Sequence, residues 1–340
     1  MTVGKGKTKM TKKIILALLV FFTGFTLGAC SNETTEYDVY VTVYPMQYVT
    51  EEIMASTGLT VGIVPGVTSH SDSVDWSPKE IIAMTKASYL FYVGANYDQY
   101  IDLQIESIFK DQSVVLVKLE DETDYIKLIS GAYYSRDEED YGFSEDESGM
   151  LGLDPHFWIS PNMMLKASAL IYDKLIAAYP GYAETMAGNY ALLVERLQSL
   201  SDSFQDVIEN QTIPILTSTN IYGYLRKDYD LEYIPISPGY HEETEQFTTQ
   251  EKEDIVNEAV RYDIRYIFYE KNITSPLSNA VYTALAERYG ESPTKFEFDI
   301  LQSLTDADRD SGKDYISVMY ENLAMIIQGT DYQANAGQEY

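Results

Sequence analysis

The sequence predicts an α/β protein of two lobes, each with a mainly parallel sheet flanked by helices, joined by one long helix. Three observations predict it. From Tyr37 onward, short β-branched and aromatic runs alternate with runs of helical spacing. The alternation stops after "SVVLVKL" and resumes at "IPILTS". Between them lies "YAETMAGNYALLVERLQSLSDSFQDVIEN", residues 182–210, with helical spacing throughout.

The elements follow in order. In the first lobe, residues 37–180, "YDVYVTVYP" reads as a strand, "MQYVTEEIMAS" as a helix and "LTVGIVP" as a second strand. Ser77 is a good N-cap for the next helix, with Pro78 at its first position and Glu80 three residues after the cap. "SYLFYVG" and "SVVLVKL" are further strands around a helical "YDQYIDLQIESIF". Seven acids between Asp137 and Glu147 without apolar periodicity predict a solvated loop over 135–149. The helix "NMMLKASALIYDKLIAAY" is stopped by Pro180 and Gly181, and the linking helix takes 181–210. Alternation then continues over the second lobe, 211–330, and residues 331–340 form a tail.

The N-terminus sets the compartment. Lys5, Lys7, Lys9, Lys12 and Lys13 precede the apolar run Ile14–Ala29, the outline of a signal peptide over residues 1–29 rather than a mature membrane span. Leu27, Gly28, Ala29 and then Cys30 resemble a bacterial lipobox, in which the cysteine becomes the lipidated first residue. Residues 30–36 read as a tether, and the expected location is the extracytoplasmic face of the cell membrane, anchored through the lipid on Cys30. Cys30 is the one cysteine of the chain, so no internal disulfide can form. Loss of residues 1–29 removes five lysines and no acid, taking the net charge from −29 to −34. A chain so acidic does not bind nucleic acid through a basic patch. The 30 tyrosines are spread through strand and helix patterns, which fits packing better than a stacking platform. Trp76 and Trp158 each lie close to a histidine and are expected to wall the cleft.

Ligands of open parallel sheets bind beyond the carboxyl ends of the strands, so the cleft between the lobes is the expected site. The chain has three histidines. His70 follows the strand "LTVGIVP", His156 precedes a helix in "GLDPHFWISP", and His241 follows the strand in "IPISPGYHEETE". All three fall in loops able to face one cleft, and imidazole suits zinc, manganese, iron or copper. No H-E-x-x-H, nucleophile elbow or P-loop is present, which argues against a metal-dependent hydrolase and against an enzyme generally.

The segments "VTVYPMQYVTEEI", "PG" followed by His70 and "SPKEI", "DPHFWISP", "PIS", "YIFYE", and "GKDYISVMYENL" occur in this order around a long central helix. Together they resemble the zinc- and manganese-binding receptors of ABC importers, over roughly residues 37–328. The resemblance implies a lipoprotein of two lobes on a rigid helix. Its cargo would be one transition-metal ion, zinc or manganese, delivered to an ABC permease and its ATPase by what is expected to be a monomer. It makes His156 the second ligand and His70 the first. At the family's third and fourth ligand positions this chain has Thr219 and Gln302, with Asp299 close to the latter. Both are weak neutral donors. Three outcomes stay open: substitution by His241 with Glu242, Glu243 and Glu245, or by Asp72; a weak site using Thr219 and Gln302; or a decayed site serving another ligand or surface adhesion.

Overall fold

The computed structural model describes Met1 and residues 35–66, 74–132, 134–137, 140–143, 150–240 and 248–331. The signal segment, Cys30, His70, Asp72, His241, Glu242, Glu243 and Glu245 lie outside the described residues. From Glu36 onward the chain forms one contact-dense body. It opens with strand β1 (Val39–Val41), helix α1 (Tyr44–Met54), β2 (Val61–Ile63), α2 (Pro78–Lys86), β3 (Tyr89–Tyr92), the short helix α3 (Gln99–Asp102) and β4 (Val115–Lys118). The strands pair in the order β2-β1-β3-β4, all parallel, with Val39 opposite both Val61 and Tyr89, and Tyr89 opposite Val115. β1 is shorter than the apolar run predicts because Pro45 starts a helix in the first turn of α1. The predicted helix over 97–109 is broken into α3 and a π-helical turn, Ile105–Phe109.

Four short strands follow, β5 (Ser130–Ala132), β6 (Tyr134–Asp137), β7 (Asp140–Phe143) and β8 (Met150–Leu153). This corrects the expectation of a loop over 135–149: β6 and β7 form an antiparallel hairpin, with Tyr134 opposite Phe143. The reason is aromatic, and periodicity swamped by charge hid it. The Tyr134 and Phe143 rings meet edge to face at 5.0 Å, and Phe143 lies 4.8 Å from Tyr233 and under the Arg226 guanidinium. The hairpin is thereby pinned to the second lobe, where the Tyr134 hydroxyl also donates to Glu258.

Helices α4 (Pro161–Ala178) and α5 (Ala183–Glu209) come next. The second lobe holds β9 (Ile215–Thr217), α6 (Gly223–Tyr229), β10 (Tyr233–Pro235), α7 (Thr249–Arg261), β11 (Tyr266–Glu270), α8 (Pro276–Tyr289), β12 (Thr294–Phe298), α9 (Asp306–Asp310) and α10 (Tyr315–Gly329). Its sheet repeats the first, in the order β10-β9-β11-β12 and again parallel. In each sheet the strand order reverses at one point, between β1 and β3 and between β9 and β11. There the carboxyl ends of the strands open a crevice.

The long helix α5 joins the lobes by packing. Leu193, Leu197, Leu200 and Phe204 are fully buried on one face, three to four residues apart. They belong to one apolar cluster that includes Val41 and Trp158 of the first lobe and Ile215 and Leu323 of the second. Each sheet has a separate cluster on its other face. Trp76 belongs with the first of these: its ring meets Tyr100 and Phe109 and its indole N–H donates to the Pro65 carbonyl. It therefore packs the back of the first sheet instead of walling the cleft, whereas Trp158 lies against His156.

At the switch point of the first sheet, Asp98 is completely buried and accepts from Thr42 Oγ1 and from the backbone N–H groups of Val93 and Gly94. Burial pushes its carboxyl up to about 6, against those hydrogen bonds. A folded-state value above the unfolded one means stability that is fully present below about pH 4 and lost as pH rises through about 6. Denaturant midpoints at pH 4.5, 5.5 and 6.5 are therefore expected to fall for the wild type relative to Asp98→Asn, by on the order of 2 kcal/mol across the window; parallel curves would sink this reading. Phe204→Ala is expected to lose about 3–5 kcal/mol. Leu192→Ala, on the exposed face of the same helix, is expected to stay within about 0.5 kcal/mol.

Candidate metal centre

His156 lies in the loop between β8 and α4, at the seam of the lobes, with 1% of its surface exposed. An imidazole buried so deeply needs partners. Asp154, two residues earlier, supplies one: its Oδ1 lies 2.9 Å from the ring Nδ1 and accepts the His156 backbone N–H at 2.9 Å. An ionised carboxylate can only accept, so Nδ1 carries a proton, and in the neutral form of such a ring the lone pair lies on Nε2. The ring is held between two aromatic edges, Trp158 at 5.6 Å and Tyr240 at 5.2 Å.

Asp154 is fixed in turn. Its backbone N–H donates to the Ile129 carbonyl and its carbonyl accepts the Tyr224 hydroxyl. Gly223 opens α6 beside it, and a Cβ there would stand 2.8 Å from Asp154 Oδ2. A side chain at that position would press on the Asp154 carboxylate. The loop from Thr219 to Gly223 thus touches the His156 support at one end.

Its other end touches a second carboxylate. The buried Thr219 Oγ1 donates to Glu270 Oε1, at the last residue of β11. Thr219 follows β9 and Glu270 ends β11, so the pair stands at the switch point of the second sheet. Between the two ends, Tyr222 is fully buried; its phenol is raised well above the usual range by burial and then by the Glu270 charge, and its hydroxyl has no hydrogen-bond partner among the described residues. The Tyr240 hydroxyl is in the same condition, raised by burial and then by Asp154. Asn220, next to Thr219, binds the Pro238 and Gly239 carbonyls just before Tyr240. The loops after β9 and β10 and the end of β11 therefore meet in one buried region, with His156 against it.

Gln302 also reaches the seam. Its backbone carbonyl accepts from the Tyr44 backbone N–H, and its side chain meets the Tyr97 hydroxyl. Asp299 is committed elsewhere, bound to Lys271 at 2.8 Å and to the Leu301 backbone N–H. Among the described residues no three histidine, cysteine or acidic side chains stand together as a metal cluster. The structure brings Thr219 to the crevice as a hydroxyl donor to Glu270. Sequence reasoning passed over Asp154, Gly223 and Glu270. The signals were a carboxylate two residues before a histidine and a lone acid ending an apolar strand.

The Asp154 geometry has a direct test. Long-range 15N–1H correlation spectra of His156 are expected to show the Nδ1–H tautomer in the wild type. Both Asp154→Asn and Gly223→Ala are expected to lose it, and retention of that tautomer in both would refute the orienting role.

Comparison with known proteins places these features. Residues 39–329 match the family model described as zinc-uptake complex component A, periplasmic (ZnuA). The zinc-binding lipoprotein AdcA of Streptococcus pneumoniae is 28% identical over 329 residues, covering 96% of this chain and 62% of the relative. The chain thus spans about three-fifths of that relative's length. The high-affinity zinc uptake system protein ZnuA of Bacillus subtilis is 23% identical over 301 residues, covering 88% of this chain and 89% of the relative. The crystal structure of the Zn(II)-bound ZnuA-like domain of S. pneumoniae AdcA superposes with a TM-score of 0.65 at 24% identity, over 87% of this chain and all of that one. With the match running from the first strand to the last helix, the chain belongs to the ZnuA family of zinc-uptake components.

Proposed function

We propose that this chain is an extracytoplasmic zinc receptor that captures the ion between its lobes and hands it to an ABC permease driven by an ATPase. The observation that carries it is the buried Asp154–His156 pair at the seam of the lobes, an imidazole oriented by a carboxylate on Nδ1 as metal-binding histidines commonly are. In the sequence His70 comes after β2 and His241 after β10; both are proposed as further imidazole ligands. A set of imidazoles favours zinc over manganese, which prefers oxygen donors. Thr219 and Gln302 then line the site as hydrogen-bonding groups, and no chemistry is catalysed. The lipid on Cys30 would hold the receptor, as a monomer, at the outer face of the membrane, with residues 30–36 as tether.

The relatives' names support this reading: one is called a zinc-binding lipoprotein and another a zinc uptake protein. The continuous apolar cluster through α5 supports capture by local ordering of loops, because swinging the lobes apart would expose buried side chains. Metal content by mass spectrometry on the full chain in detergent, after zinc or manganese loading and dialysis, provides the test. About one equivalent of zinc, lost in both His156→Ala and His241→Ala, is the expected result. Metal lost with His156→Ala alone would remove His241 from the set, and no retained zinc would overturn the receptor.

A further inference from the structure

We propose that Tyr224 is a positioning residue for the ligand His156: its phenol is wedged into the end of the β5–β8 ladder and turns Asp154 toward the imidazole. This inference rests on the zinc-receptor reading above.

The first argument is a substituted rung. β5 and β8 are antiparallel, with Ser130 opposite Leu153, so Ile129 and Asp154 form the next pair. Opposed residues of a hydrogen-bonded pair exchange both N–H···O bonds. Here one is made directly, from the Asp154 N–H to the Ile129 carbonyl at 2.9 Å. In place of the other stands the Tyr224 hydroxyl, which accepts the Ile129 N–H at 3.2 Å and donates to the Asp154 carbonyl at 2.7 Å. One oxygen satisfies both backbone groups and holds them apart. The chain leaves the ladder at this point, and the Asp154 carboxylate turns back onto His156 Nδ1 at 2.9 Å.

The second argument is that the wedge is itself fixed. Tyr224 is fully buried in the apolar cluster that runs through α5. Burial, and then the Asp154 charge, raise its phenol well above the usual range, so it stays a donor. Gly223, just before it, leaves space to the same two residues: a Cβ there would stand 2.8 Å from Asp154 Oδ2 and 3.5 Å from Ile129 Cδ1.

The third argument is that the same helix holds the far end of the segment. Asp228 accepts the Ser160 hydroxyl, and the Tyr229 hydroxyl accepts the Asn162 N–H at 3.0 Å. Residues 154–162 are thus gripped at both ends by α6 of the second lobe. Without the phenol oxygen, the Ile129 N–H and the Asp154 carbonyl can close on each other directly. That closure draws Asp154 toward β5 and its carboxylate away from Nδ1.

The experiment compares wild type, Tyr224→Phe and Tyr179→Phe as full chains in detergent. Tyr179 also spends its hydroxyl on buried partners, Ser88 among them, but away from His156, so its variant controls for loss of a phenol oxygen. Zinc affinity is measured by competition with a chromophoric chelator, and the His156 ring by long-range 15N–1H spectra of the metal-free forms. Tyr224→Phe is expected to weaken zinc about tenfold, the lower end of the effects of groups that orient ligands, and to shift or lose the Nδ1–H signal. Tyr179→Phe is expected to change neither. Zinc affinity within threefold of wild type in Tyr224→Phe, or an unmoved Nδ1–H signal there, overturns the proposal and leaves the receptor reading standing. A wild type that takes no zinc overturns the receptor reading, and this inference with it. If Tyr224→Phe fails to fold, wild type labelled with 15N-isoleucine decides, because coupling between the wedge and the site is reciprocal. A zinc-induced shift of the Ile129 amide then supports the assignment, and an unmoved amide overturns it.

Discussion

The indole of Trp158 ties the loop carrying His156 to the opposite lobe. It is fully buried, its N–H donates to the Ile300 carbonyl at 2.7 Å, and its own carbonyl accepts the Tyr315 hydroxyl at 2.7 Å. The same ring lies edge-on to Tyr97, Phe157 and His156. A large apolar body with one polar handle suits such a place, because it fills the seam and spends its single donor on a named acceptor. Nearby, Arg309 of the second lobe donates to Gln47 and lies over the Tyr44 ring. The position of His156 between the lobes follows from these contacts.

Buried carboxylates are handled in three ways around that seam. Asp98 accepts two backbone N–H groups and a hydroxyl, and stays as a structural fastener inside the first lobe. Asp154 accepts an imidazole N–H and becomes an orienting group. Glu270 accepts a hydroxyl at the edge of the crevice of the second lobe. The difference lies in the donors each finds, because a buried carboxylate without them costs several kcal/mol.

Rigidity and capture are compatible here. The cluster running through α5 couples both lobes, and residues three to four positions apart along that helix face it. Moving the lobes as blocks would pull fully buried leucines and aromatics into water. Adjustment is easier in the loops at the carboxyl ends of the strands, where the backbone is not bound into either sheet. The crevice lies among those loops, so the stable frame and the adaptable site are made by different parts of the chain.

Two lobes, parallel sheets and a helical link were legible from the sequence because each rests on local periodicity, and His156 was legible because a histidine between proline and aromatics is conspicuous. The hairpin of Tyr134 to Phe143 was not, since its strands are held by rings contacting Tyr233 and Arg226, about ninety residues away. Trp76 lies near His70 in the chain and packs on Tyr100 and Phe109 in space. Glu270 and Thr219 are 51 residues apart and meet because β9 and β11 are neighbours in register. The sequence by itself determined which segments become strands and helices, since spacing of apolar residues and capping residues act within a few residues. Tertiary structure decided which carboxylate faces which hydroxyl or imidazole, because that depends on strand order and on side chains that only packing brings together.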